Sequence, residues 1–431
     1  GLVGSLLACL LAQRGARVEI FEKRPDLRRS DLPAGRSINL ALAERGLHAL
    51  QLAGVMDEVR PLLIPMRGRQ LHDRDGNTEF QPYGLRPEEV IYSVSRTELN
   101  RVLLDAAERH GCQTHFQQTC DHVDLEARKI AFSDGVRDQI REHAYDRVFG
   151  TDGVASVLRR AIDQATGTES RIERLDHDYK ELCIPATATG THAIEREALH
   201  IWPRGGFMLI ALPNLDGSFT VTLFLPREGP VSFAAIQEPV AMREFFAREF
   251  ADAVSWMPRL DEDFAENPTG PLGTVRCPQW NYRDSALLLG DASHAIVPFH
   301  GQGMNAGFED CEVLMRSLDA AAGRWADAIP HFAETRPADA HAIAEMALEN
   351  YITMRDSVTD PRFQQKKQLG FELERRFPER FVPRYSMVMF HRIPYAEVLH
   401  RGQRQDAVLE RLLNERRPDG EIDLQLAESL L

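Results

Sequence analysis

What this chain lacks narrows its function before any motif is read. No run of apolar residues approaches the ~18 that a membrane-spanning helix needs, and no signal peptide is legible at the start. Cysteine is sparse: Cys9, Cys112, Cys120, Cys183, Cys277 and Cys311 are scattered, with no C-x-x-C pair. That excludes a disulfide scaffold and a dithiol redox motif, and the thiols read as reduced core filling in a cytoplasmic protein. The histidines show neither HExxH nor HxxxH spacing, so no metal centre is expected. Basic residues are outnumbered, 51 Lys and Arg against 65 Asp and Glu for a net charge of −14. Nucleic acid and anionic membrane surfaces are therefore excluded as general partners. Low-complexity linkers and internal repeats are missing too, which favours a compact, discontinuous protein over a string of modules. The 431 residues suffice for two or three domains around a sizeable core.

What is present is organised around Gly290–Leu314, GDASHAIVPFHGQGMNAGFEDCEVL. Leu287, Leu288 and Leu289 end a buried strand, and Gly290-Asp291 follows with a carboxylate able to accept a sugar hydroxyl. Pro298, Gly301 and Gly303 form a loop where a flat ligand can approach bare backbone. Asn305 onward reads as a helix with Ala306, Phe308, Val313 and Leu314 toward the core. The N–H groups at its start favour developing negative charge, as on a reduced flavin ring.

Residues 1–24 look like most of a βαβ dinucleotide unit. Gly1 and Gly4 fit the second and third glycines of GxGxxG, and Leu6, Leu7, Leu10 and Leu11 face inward on the helix. Gly15 ends that helix, Val18–Phe21 is a strand, and Glu22 stands where an acid binds an adenosine ribose. The first glycine and first strand of such a unit do not appear, so a strand is expected to precede Gly1. Arg36 to Leu40 reads as the polar entry to a helix running through Leu42, Leu47, Leu50 and Leu52. Residues 66–83 read as two strands joined by a turn at Asp75-Gly76, with Arg67 and Arg69 on one face. Residues 91–104 read as a strand, a cap at Ser95 or Thr97, and a helix, with Arg96 at the junction. Asp152-Gly153 opens another helix after a strand and offers a second contact for a dinucleotide. From about 170 to 270 short apolar β-type runs predict an inserted antiparallel sheet. Beyond 325 the chain is mostly helical.

The expected fold class is α/β: a Rossmann-like nucleotide-binding domain (1–60, 91–165, 276–340), an inserted antiparallel β-sheet domain (61–90, 166–275) and a C-terminal helical region (341–431). The partial GxGxxG with Glu22, the Asp152-Gly153 turn and the Gly290-Asp291 stretch occur in the order of the single-component FAD-dependent aromatic hydroxylases, which the chain resembles along nearly its whole length. Strings such as GRSINLALAERG, IPMRGRQLH, QPYG, YSVSRTELN, ALHIWPRG, ALENYITMRD and FVPRYSMV narrow the likeness to the members of that family that act on L-kynurenine. Two departures are Thr151, where the family carries a small residue, and the absence of a C-terminal membrane helix.

The resemblance implies non-covalent FAD, NADPH as a transient co-substrate bound on the surface of the FAD domain, O2, and hydroxylation at ring position 3 through a flavin C4a-hydroperoxide. It implies FAD contacts from Gly1, Gly4, Glu22, Arg36, Arg96, Asp152, Asp291, Pro298, Gly301, Gly303, Met304 and Asn305. Arg69 and Tyr83, completed by Asn350 and Tyr385, would grip the substrate's amino-acid end, since a guanidinium fork suits a carboxylate. Leu199, Met208, Ile210, Leu212, Phe224, Pro298, Phe299, His300 and Met354 would wall the aniline ring. No protein group is assigned as general acid or base. Two alternatives stay open at this stage: a related hydroxylase of a simple aromatic acid, and a flavin-binding redox sensor.

Overall fold

The computed structural model describes residues 1–29, 39–135, 139–357, 360–415 and 423–431. Two compact units divide it. The first comprises Gly1–Ile64, Tyr92–Leu175 and Pro271–Ala340, the second Pro65–Ile91, Asp176–Gly270 and His341–Leu431. The C-terminal helices thus belong to the same unit as the inserted strands.

In the first unit, the helix Leu2–Gln13 is apolar nearly all round and buries Leu2, Leu6, Leu7, Leu10 and Leu11, as a helix packed on several sides must. Gly15, at φ +84°, turns the chain out of it and into the strand Glu19–Glu22, which pairs in parallel with Gln113–Phe116. Val148–Gly150 and Ala286–Leu288 form a second parallel pair. The helices Arg96–Arg109 and Gly303–Ala320 both pack on Leu2–Gln13.

Gly4 lies close against the turn after Val148–Gly150, because a Cβ there would lie 2.5 Å from Thr151 Oγ1. Gly4→Ala is expected to destabilise the protein by about 1–3 kcal/mol through overpacking. Thr151→Ala in the same chain should recover most of the loss, since it removes the offending oxygen. Urea unfolding of the two single variants and the double variant checks this, and additive losses would break the link.

One sequence expectation needs correction here. Asn39–Leu42 is a strand, antiparallel to Ile91–Ser95, and the helix is confined to Glu44–Leu52. The ladder from Asn39↔Ser95 to Leu42↔Tyr92 overrides the helical spacing of the leucines. Leu52 is exposed rather than buried.

The second unit carries most of a seven-stranded sheet. Its order is Thr269–Arg276, Arg171–Ile184, Phe219–Pro226, Met208–Pro213, Ala198–Pro203, Gly68–His72, Thr78–Pro82. From Arg171–Ile184 onward the pairs are antiparallel, except that Ala198–Pro203 runs parallel to Gly68–His72. Alternation divides the side chains between two faces. Trp202, Leu209, Ala211, Val221, Leu223 and Leu225 form one face and pack with Met242, Phe245, Phe246 and Phe250. Those last residues come from Pro239–Glu249 and its C-cap, and Leu260–Glu266 is helical as well. The reading of 170–270 as strands alone is thereby corrected: Met242, Phe245 and Phe246 fall at helical spacing and cover the sheet. Among the described residues no helix is long and apolar enough to cross a membrane.

Candidate flavin and substrate sites

All the described flavin-facing candidates lie in the first unit. The strand Ala286–Leu288 is fully buried and ends at Gly290, whose φ of +60° swings the chain outward. Asp291 then starts a single helical turn, Asp291–His294. It is exposed, and among the described residues nothing partners its carboxylate. Pro298–His300 forms a tight turn closed by Gly301 at φ +65°, where a Cβ would lie 3.0 Å from that of Ala41.

Gly303 and Met304 open the long helix Gly303–Ala320, whose first turn has no side-chain cap, so its N–H groups are available to an acceptor. Asn305 is spent differently. Its Oδ1 accepts from Ala43 N at 2.9 Å, and its Nδ2 donates to Ala41 O and Gly301 O, both at 2.8 Å. The side chain thus shapes the loop from within. Gly46 makes room for it, since a Cβ there would come within 2.5 Å of Asn305 Oδ1.

Around this loop, Glu22 is partly buried at the end of its strand and accepts from Arg24 N at 3.0 Å. Arg96 is exposed at the start of its helix, which Ser95 caps by accepting from Glu98 N. Asp152 accepts from Val157 N at 2.7 Å, so its carboxylate also closes a turn. Gly1 precedes the first helix, and Arg36 lies outside the described residues.

Sequence reading missed the support behind these turns. Arg159, buried, donates to Val154 O and, at 2.6 Å, to Ala292 O, which ties the two acidic turns together. Behind Gly290 sits a buried charge network. Asp310 Oδ2 accepts from Gly290 N at 2.8 Å and lies 2.6 Å from His294 Nε2, while its Oδ1 accepts from Arg336 Nε at 2.8 Å. Arg336 also donates to Glu309 at 2.8 Å, and Glu309 meets Arg45 at 2.5 Å. Burial pushes the Asp310 carboxyl up, but the neighbouring His294 and Arg336 outweigh it and hold the value at about 2. Only the acidic pair Glu309-Asp310, on a helix otherwise headed for the core, hinted at this in the sequence.

Ten of the thirteen candidate substrate residues lie in the second unit, and Pro298, Phe299 and His300 lie in the first. Register places Arg69 beside Leu199, Ile201 beside Ile210, and Met208 beside Phe224. Arg69, Leu199, Met208, Ile210, Leu212 and Phe224 therefore share the sheet face opposite the Phe245–Phe246 core. The Arg69 guanidinium stands over the rings of Tyr83 and Tyr385, 5.8 and 4.9 Å from their centroids. The rings themselves stack at 5.5 Å.

Arg69 and Tyr83 are buried, and among the described residues neither Arg69 Nε nor Tyr83 Oη has a hydrogen-bond partner. Among the described residues no carboxylate pairs with Arg69. Burial drives the Tyr83 phenol well above its ordinary range, so it stays a donor. Asn350 Nδ2 contacts Met354 Sδ at 3.3 Å, within a helix that loosens into a π-type turn at Thr353–Ser357. Arg67 does not share the surroundings of Arg69. It lies just before the strand, half exposed, and pairs with Glu197 at 2.7 Å.

With this geometry in place, comparison with known proteins is informative. A family model described as FAD binding domain matches residues 1–350. Solved structures share the fold: tetracycline destructase Tet(51) gives a TM-score of 0.62 at 15% identity, covering 86% of this chain and 94% of that one. The tetrameric form of 2-methyl-3-hydroxypyridine-5-carboxylic acid oxygenase gives 0.62 at 18%, covering 85% and 93%. Fold and family match together define an FAD-binding flavoprotein of the monooxygenase fold. The kynurenine 3-monooxygenase of Stenotrophomonas maltophilia (strain K279a) is 48% identical over 409 residues, 95% of this chain and 90% of that one. That of Myxococcus xanthus (strain DK1622) is 46% identical over 433 residues, 100% and 93%. This chain belongs to the kynurenine 3-monooxygenase family.

Proposed function

We propose that the protein hydroxylates L-kynurenine at ring position 3, consuming NADPH, a proton and O2 and releasing NADP⁺ and water. The observation that carries this reading is the buried Arg69 guanidinium, which no carboxylate pairs among the described residues, flanked by two phenols on a sheet face that also presents Leu199, Met208, Ile210, Leu212 and Phe224. A desolvated guanidinium fork calls for a carboxylate. Leu199, Met208, Ile210, Leu212 and Phe224 suit the aniline ring and exclude water from it. A simple aromatic acid has no carboxylate separated from its ring by a chain, which makes it the poorer fit.

The first unit fits FAD on its own evidence. Asp291 offers a free acceptor, Gly301 and Ala41 leave no room for a side chain, and the first turn of Gly303–Ala320 is uncapped. When bound, FAD supplies the activation of O2 that no side chain here provides. The chain's own residues hold and orient. Asp291 and Glu22 would accept hydroxyls of FAD, Arg96 would offer a cation to its phosphates, and the first turn of Gly303–Ala320 would favour negative charge. Asn305, Asp310 and Arg159 keep those groups in place. Six unpaired cysteines agree with a reducing compartment, and we place the enzyme in the cytoplasm.

The direct test is product analysis after incubation with FAD, NADPH, O2 and L-kynurenine. The expected product is 3-hydroxykynurenine; NADPH oxidation that yields only hydrogen peroxide, or no response to kynurenine, would overturn the reading. Asp291→Ala should weaken FAD binding by roughly 1.5–3 kcal/mol, the value of a hydrogen bond to a charged group. Fluorescence titration with FAD measures it, and unchanged affinity would remove Asp291 from the site.

A further inference from the structure

Two lysines stand side by side on the helix Pro361–Arg376, and they are treated differently. Lys366 is matched by Asp406 at 2.5 Å and Glu410 at 2.9 Å. Lys367 has no carboxylate within ion-pair distance among the described residues. Its Nζ donates to Gln81 Oε1 at 3.3 Å, and Gln81 is the direct cross-strand partner of Arg69. Gln81 is buried, and its Nε2 donates onward to Glu79 at 3.2 Å. Two cations, neither of them neutralised, thus converge on one patch of the sheet.

We propose that Lys367 is a second cation of the Arg69 site, one that takes up a proton when a carboxylate binds there. This rests on the reading of that site as the carboxylate grip. Burial, and after it the Arg69 charge, lower the Lys367 ammonium to about 8, with Glu79 acting the other way. Burial keeps the Tyr83 and Tyr385 phenols protonated, and Glu79 is exposed on its strand. Lys367 is therefore the group that changes charge between about pH 7 and about pH 9.5.

The sign follows from linkage. The free protein loses the Lys367 proton as pH rises through about 8. A bound anion stabilises the protonated form and raises that value, so binding takes up a proton in this window and weakens as pH rises. If the bound anion restores an ordinary lysine value near 10.4, affinity should fall roughly 10- to 30-fold between about pH 7 and about pH 9.5.

The experiment uses the FAD-loaded enzyme and 4-(2-aminophenyl)-4-oxobutanoate, the kynurenine analogue that keeps the carboxylate and lacks the α-amino group, whose own titration would intrude. Calorimetry in two buffers of different ionisation heat counts the protons taken up. The parent should take up a proton at about pH 8.5 and lose affinity with pH. Lys367→Met should bind more weakly at neutral pH and show neither effect, while Lys367→Arg should bind well at both ends of the range. Equal affinity across the range for the parent, or Lys367→Met keeping the parent's pH dependence, would overturn the proposal. Arg69→Met separates the two readings. If it binds the analogue like the parent, the carboxylate grip itself falls. If it loses binding while Lys367→Met behaves as the parent does, only the role of Lys367 falls.

Discussion

Arg69→Ala is expected to weaken kynurenine binding by roughly 2–5 kcal/mol and to leave FAD affinity unchanged. The guanidinium is buried and stands over two ring faces, at 4.9 and 5.8 Å, and among the described residues no carboxylate pairs with it. Such cation–π contacts contribute about 0.5–2 kcal/mol, which does not offset the desolvation of a charge. An entering carboxylate supplies the missing partner, so removing Arg69 leaves that anion dry and poorly paired. Tyr83→Phe removes one donor and should cost less, about 1.5–3 kcal/mol. The same reasoning predicts an unusual stability result. Because no carboxylate among the described residues neutralises Arg69, replacing it should not lower the melting temperature, as truncating a paired buried charge would. Titration with L-kynurenine and with its decarboxylated analogue measures the preference for the acid. If Arg69→Ala kept that preference, the carboxylate would have to bind elsewhere.

The features legible in the sequence were those carried by short-range pattern. The buried strand ending at Gly290, the helix that follows it, and the hairpin turning at Asp75-Gly76 each declare themselves within a dozen residues. The Arg69–Tyr83 proximity followed from that hairpin. Parity does not tell Arg67 from Arg69; what separates them is that Arg67 lies before the strand and Glu197, 130 residues away, claims its side chain. The helices between 239 and 266 are hard to see in the sequence because β-type runs flank them. Least legible was the machinery behind the loops. Asn305 looks like a ligand-facing amide until Ala41 and Ala43 are seen to use it. Arg45 and Glu309 are 264 residues apart, and charges on helices usually face water. Lys367 differs from Lys366 only in what the fold places opposite it, which no local pattern records.

Arg336→Met should destabilise the protein by about 3–5 kcal/mol, the loss expected when one member of a buried ionic network is removed and its partners are stranded. Arg336 is 3% exposed and serves Glu309, Asp310 and the carbonyl of Ala306 at once. Without it two buried carboxylates stand at consecutive positions of one helix, with Arg45 and His294 as their remaining cations. The pH dependence fixes the sign. The Asp310 carboxyl is held at about 2 in the folded protein, below the ~3.9 of an unfolded aspartate. Its contribution to stability is therefore present above about pH 4 and is lost as pH falls toward 2, roughly 2–3 kcal/mol in all. Losing Arg336 raises the folded value, so this contribution shrinks and acid unfolding should begin at higher pH. FAD retention should weaken in step, because Asp310 also holds Gly290 N and with it the turn that presents Asp291. Asp310→Asn keeps the shape and should cost less than Arg336→Met, since no anion is left behind. Urea unfolding at neutral pH and near pH 4, with FAD release followed in parallel, measures all three effects. An Arg336→Met protein within about 1 kcal/mol of the parent, well short of the penalty for a stranded buried charge, would show that water or rearranged side chains neutralise Glu309 and Asp310.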